Sequence, residues 1–188
     1  MSYYAALNQQ IFTTQDYTLT PIRFEDRFLI MKWRNEQIYH LRQAKLLTPE
    51  EQDNYFNNVI AKEFYQENPT QLLFSLLKND ICIGYGGLVH INYIDKNAEV
   101  SFLMDTNVET DFFEINWLNY LVLIQQLAFE EMHFYKIFTF AFDLRPKLYK
   151  ALLAAGFYEE ARLKSHCFFE NKFIDVLIHA KLNVNAEN

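Results

Sequence analysis

Between Asn97 and Phe142 the spacing of apolar side chains changes twice, and this stretch organises the rest of the chain. Ala98 to Met104 begins by alternating apolar and polar positions, the two-residue period of a strand. Asp105 to Glu114 keeps no such period and is expected as a loop. Ile115 to Met132 reads as one long helix, and Ile137 to Phe142 returns to strand. Strand, crossover helix and strand make a βαβ unit, so the two strands are expected side by side and parallel.

Elements on either side follow from the same spacing. Tyr17 to Arg23 alternates and predicts a first strand, with Pro21 favouring a sheet edge. Met1 to Gln15 has no period and is expected as an arm, loose or docked on a partner. Glu25 to Ile38 is helical, with Phe28, Leu29, Met31, Trp33 and Ile38 as packing candidates. Thr48-Pro49-Glu50-Glu51 opens a second helix: Thr48 caps, Pro49 takes the first turn, and Glu51 completes a capping box. Between these helices the loop Tyr39 to Leu47, holding His40 and Arg42, overhangs one end of the sheet. Gln71 to Leu77 and Ile81 to Ile91 pair around Lys78-Asn79-Asp80. Ala151 to Phe157 is a helix closed by Gly156-Phe157, and Glu159 to Phe169 with Phe173 to Leu182 forms a final hairpin. Without repeat or linker, residues 1–188 predict a single mixed α/β domain.

Composition narrows the function classes. Apolar residues make up 51% and aromatics 17%, enough for a packed core rather than a disordered chain. Net charge is −7 with no Lys/Arg stripe, which excludes a nucleic-acid footprint. The most apolar helix is broken by Asn116, Asn119, Gln125, Gln126, Glu130 and Glu131, so it is a buried helix and not a membrane span. Cys82 and Cys167 are far apart and read as two thiols in a reducing cytoplasm. Histidines 40, 90, 133, 166 and 179 lack metal-site spacing, so no metal is expected.

Three features carry candidate chemistry. Glu99 sits in a largely apolar strand, on the face of Ser101, Leu103 and Asp105, with Val100, Phe102 and Met104 opposite. A carboxylate there must face a cleft or a partner; a salt bridge at the strand end is the plainer alternative. Gly84-Tyr85-Gly86-Gly87 lies inside a strand with no helix after it, so it marks a bulge or a close approach rather than a phosphate loop. Trp33-Arg34-Asn35, near a helix end, is either a packing face or part of a binding wall.

The order of these pieces resembles the GNAT acyl-CoA N-acyltransferases. Trp33-Arg34-Asn35, the Thr48 helix start, Leu127-Ala128-Phe129-Glu130-Glu131, and Arg162-Leu163-Lys164 with Phe173-Ile174-Asp175-Val176-Leu177 carry it. The nearest branch is the amino-sugar N-acetyltransferases of the pseudaminic acid pathway, with the ribosomal-protein N-terminal acetyltransferases next. The resemblance implies a mixed sheet of about seven strands, flanked by helices, whose central parallel pair splays apart. It also implies acetyl-CoA as co-substrate, with pantetheine on the backbone of Phe102, Leu103 and Met104. The phosphates would lie at the segment entering the helix, around Phe113, Glu114, Ile115 and Asn116. The acceptor, a small-molecule amine, would meet the wall containing Arg34, Asn35 and His40, where Arg34 suits an anionic group.

The chain departs from that family at two places. The segment Asn107 to Asn116 has no glycine and brings Glu109, Asp111 and Glu114 to the phosphate region, so Arg145 is the expected compensating cation. The family's catalytic tyrosine falls on Leu152 and its asparagine on Arg145, which leaves Tyr149 as the candidate acid and Glu99 as the candidate base. An amino-sugar or nucleotide-linked amino-sugar N-acetyltransferase is therefore expected. A GNAT-fold module that has lost CoA, and a protein N-terminal acetyltransferase, stay open as alternatives, as does a homodimer.

Overall fold

The computed structural model describes residues 3–41 and 43–184, so Arg42 lies outside the described residues. Eight strands form one sheet: β1 (Phe12–Thr14), β2 (Tyr17–Pro21), β3 (Leu72–Lys78), β4 (Ile81–Asn92), β5 (Asn97–Met104), β6 (Lys136–Phe142), β7 (Tyr158–Phe169) and β8 (Lys172–Leu182). Their order is β1-β2-β3-β4-β5-β6-β8-β7. Every neighbouring pair is antiparallel except β5 and β6, the parallel pair that the βαβ reading expected.

Four main helices cover the sheet: α1 (Arg27–Glu36), α2 (Pro49–Tyr55), α3 (Thr106–Gln125) and α4 (Pro146–Ala154). Alternation along the strands sends each side chain to one of two cores. Ala98, Val100, Phe102 and Met104 pack with Trp117, Tyr120 and Ile124 of α3. Leu103 joins Ile30 and Trp33 of α1 and Phe56 beyond α2 on the other face. A central strand such as β3, buried on both faces, therefore appears in the sequence as an apolar run, Leu72 to Leu77, interrupted only by Ser75.

Several expectations are corrected. The arm begins to pack at once: Tyr4 is 1% exposed, and its hydroxyl donates to the Leu73 carbonyl at 2.8 Å and accepts the Leu73 N–H at 2.9 Å. One anchoring phenol and a three-residue strand leave no period to detect. That strand, β1, raises the count to eight. It ends opposite Tyr17 and Leu19, so Pro21 lies beyond it, where no donor is required. On α1 the buried residues are Ile30 and Trp33, whereas Phe28 and Leu29 are exposed; the Arg27 guanidinium covers the Phe28 ring at 4.1 Å.

The largest correction concerns Asp105 to Glu114, which is helical from Thr106 onward. Asp105 caps it, its Oδ1 accepting the Asn107 N–H at 2.9 Å. The helix breaks at Phe112 (φ −120°, ψ 17°) before continuing to Gln125. The Thr48 capping box forms as expected, with Thr48 and Glu51 each accepting the other's backbone N–H. Glycines of β4 serve close approach: a Cβ on Gly86 would stand 2.1 Å from the Ser101 carbonyl and 2.8 Å from the Tyr120 hydroxyl.

Candidate active site

The site begins where the parallel pair stops pairing. β5 and β6 share only Asn97↔Lys136, Ala98↔Ile137 and Glu99↔Phe138. Beyond that point β6 follows β8, and β5 runs on to Met104 with no strand along that edge. The parting is a cleft of about 120 Å³, lined by Glu99, Phe102, Trp117, Thr139, Phe142 and Arg145 among others. An extended chain bearing amide groups fits such an edge, because an unpaired strand offers it N–H and C=O groups at matching spacing. Part of the edge is already engaged: the Met104 carbonyl accepts Gln37 Nε2 at 2.7 Å.

The side chains around this cleft are unusual in what they leave unmade. Among the described residues, the buried side-chain polar atoms with no hydrogen-bond partner are Trp117 Nε1, Thr139 Oγ1 and His179 Nδ1. Trp117 and Thr139 line the cleft, and His179 is the cross-strand neighbour of Thr139. Each such group costs about 1–3 kcal/mol when left dry and unpaired, so their gathering at one place marks a ligand site.

Glu99 is 6% exposed and projects from β5 at the start of the parting. His90 Nδ1 lies 2.8 Å from Glu99 Oε2. The contact depends on an irregularity in β4 between Val89 and Asn92, where His90 adopts φ +49°.

A second cavity, of about 290 Å³, opens between α1, α2 and the sheet. Its walls are mainly apolar, with Ile22, Ile30, Phe56 and Leu73 beside Arg34, Tyr55 and Tyr85. The Arg34 guanidinium donates to the Tyr85 hydroxyl at 2.7 Å and to Gln43 Oε1 at 3.0 Å. None of the ion pairs among the described residues includes Arg34. Among the described residues Arg34 has only neutral hydrogen-bond partners, and although Glu51 also lines the cavity, paired there with Lys45, a guanidinium so placed is suited to an anionic ligand. Asn35, by contrast, is committed to the backbone of Leu47, which it holds by two bonds of 2.9 and 2.8 Å. Ser101 lines both this cavity and the cleft, so the two meet there.

The mouth of the cleft carries the charges. Arg145, just before α4, pairs with Glu109 of α3 and lies 5.1 Å over the Phe113 ring. It also donates weakly to His40 Nδ1 at 3.5 Å, which places the imidazole proton on Nε2, facing Gln37 Oε1 at 3.2 Å. Burial, with Arg145 beside it, lowers the His40 pKa to about 3 and keeps the ring neutral. A wider hollow of about 420 Å³, lined by Tyr39, Thr110, Arg145 and Lys147, adjoins this mouth. Glu114 and Ile115 are exposed on α3, while Asn116 is buried and accepts the Tyr17 hydroxyl at 2.7 Å.

Tyr149 is placed differently from the other sequence candidates. Its hydroxyl donates to Asp143 Oδ1 at 2.9 Å, its ring stacks on His179, and it is not among the residues lining the cleft. Burial and the Asp143 contact raise its pKa. Leu152, at the family's tyrosine position, is fully buried. Sequence reading missed Thr139, Trp117 and Tyr85; the one available signal was a hydroxyl on the otherwise apolar face of Ile137 and Ala141.

A mixed sheet whose central parallel strands part over a cleft defines the N-acyltransferase class of α/β folds. Residues 19–178 match the family model described as an acetyltransferase (GNAT) domain, and the chain belongs to that family. Two solved structures show the same architecture. The spermidine N-acetyltransferase from Vibrio cholerae, solved with CoA and spermine, aligns with TM-score 0.77 at 20% identity, covering 93% of this chain and 100% of its own. The ribosomal-protein-S5-alanine acetyltransferase from Vibrio fischeri aligns with TM-score 0.76 at 17% identity, covering 96% and 100%. No curated protein sequence matches the chain.

Proposed function

We propose that this protein transfers the acetyl group of acetyl-CoA to the primary amine of a small molecule that also carries an anionic group, such as a nucleotide-linked amino sugar. The observation that carries this reading is the meeting of the two cavities at Ser101, with Glu99 at the base of the parting. The acyl donor lies along the open edge of β5, beside Phe102, Leu103 and Met104. Its phosphates lie toward Arg145 and Lys147, past Phe113.

The acceptor occupies the cavity between α1 and α2. Arg34 holds its anionic group by a charge-assisted bond, and His40 closes the side nearest the mouth. An amine attacks only with a free lone pair, so an ammonium must first lose a proton. Glu99, directly or through a water, receives that proton. The nitrogen then bonds to the thioester carbon, the C–S bond breaks with its electron pair leaving on sulfur, and the second nitrogen proton passes to water or to the departed thiolate, giving the amide and CoA.

The test is thiol release from acetyl-CoA with three acceptors in parallel: a nucleotide-linked amino sugar, spermidine and a peptide with a free N-terminus. Turnover is expected with the first at the lowest concentration. Absence of thiol release with every acceptor, together with absence of a thermal shift with acetyl-CoA, would overturn the reading, since a ligand of the native state must raise its apparent stability.

A further inference from the structure

Breaking a thioester puts negative charge on sulfur, and a donor near that sulfur lowers the barrier. Neither the family's tyrosine position nor the candidate that the sequence offers in its place puts a donor in the cleft. Leu152 has no donor, and the Tyr149 hydroxyl is bound to Asp143 outside the cleft lining. Two other donors line the cleft itself. Thr139 on β6 is 4% exposed, Trp117 on α3 is equally enclosed, and both line the parting of β5 and β6. An indole N–H can only donate, so a ligand atom satisfying both groups is an acceptor.

We propose that the Thr139 hydroxyl, assisted by the Trp117 indole N–H, hydrogen-bonds the sulfur of the acyl donor and stabilises it as the leaving thiolate. The inference rests on the acetyl-transfer reading. In the balanced step Glu99 has taken one proton from the ammonium, the C–N bond forms, the C–S bond breaks, sulfur keeps the electron pair, and the second nitrogen proton passes to water or to the departed thiolate. Thr139 retains its own proton throughout and acts as a donor, not an acid. The arrangement accounts for the two orphaned donors that line the cleft: their partner arrives with the substrate.

The deciding variant is Thr139→Val, which keeps the shape and removes the hydroxyl. Without ligand it should melt no lower than wild type, because an unsatisfied buried group has been removed. Calorimetric titration at pH 9 compares CoA with desulfo-CoA, which lacks the sulfur. Wild type should favour CoA, and Thr139→Val should erase that preference while binding desulfo-CoA as wild type does. Turnover should fall roughly 10- to 100-fold at unchanged KM for acetyl-CoA, with Thr139→Ser restoring most of it. A variant that keeps both the CoA preference and the turnover overturns the inference, as does equal weakening toward both ligands. Should Thr139→Val fail to fold, Trp117→Phe takes its place, and an undiminished CoA preference is equally fatal. If wild type neither binds CoA nor releases thiol, the acetyl-transfer reading fails, and this inference with it.

Discussion

Arg145 and Glu109 form an ion pair across the mouth of the cleft, joining the residue before α4 to the first turn of α3. The pair sets a carboxylate beside the one arginine best placed for a phosphate. Glu109 therefore competes with the CoA phosphates for Arg145. Glu109→Gln should tighten CoA binding roughly two- to five-fold, the scale of a partly exposed charge contact. Arg145→Ala should weaken it. Calorimetric titration checks both, and unchanged affinities in the two variants would remove Arg145 from the phosphate site.

Glu99 is tested through the protonation state of the acceptor. At low pH almost all of the amine is ammonium, and loss of the base is felt most there. Glu99→Gln should lower kcat by roughly 10²–10⁴-fold, with the deficit shrinking as pH rises toward the amine's own pKa. A parallel profile at all pH values would argue against proton removal by Glu99.

Arg34 governs which acceptor is held. Arg34→Leu should raise KM for a phosphate-bearing amine roughly 10- to 100-fold while leaving kcat nearly unchanged, as expected for loss of binding felt equally in ground and transition states. An acceptor without an anionic group should be indifferent to the change. Steady-state kinetics on a matched pair of acceptors decides it.

His40 makes a prediction about stability. Its folded pKa, about 3, lies below the ordinary value of 6.5, so between these values the unfolded chain binds the extra proton. The stabilisation from neutral His40 is therefore full above pH 6.5 and is lost as pH falls toward 3. His40→Asn should flatten the dependence of unfolding free energy on pH across this window, read from denaturant melts at pH 4 and pH 7. An unaltered slope would show that His40 does not carry it.

The βαβ core was legible because its signal is long: alternation fixed the face of Glu99 and Ser101, and the helix of α3 spans many turns. Tyr4 and β1 were not, since one anchoring side chain and three strand residues carry no periodicity. The helical start at Thr106 was hidden by the weak preference of Thr, Asn and Val for helix, which the Asp105 cap and the tie from Thr106 to Glu36 override. Arg34 and Glu99 were named from residue type and place. Thr139 and Trp117 were not, because their defining property is a missing hydrogen bond, and an absence of that kind exists only in three dimensions.

β6 is held unequally along its two edges. On one edge three register positions tie it to β5, while on the opposite edge all seven of its residues pair with β8. The opening is thus a stretch in which two neighbouring strands each leave one edge bare while the rest of the sheet stays laced. Only its far edge carries β6 through that stretch. Residues Tyr158–Leu182, most of them remote from the proposed chemistry, are therefore the splint of the slot: they hold one of its walls where the other wall gives no support.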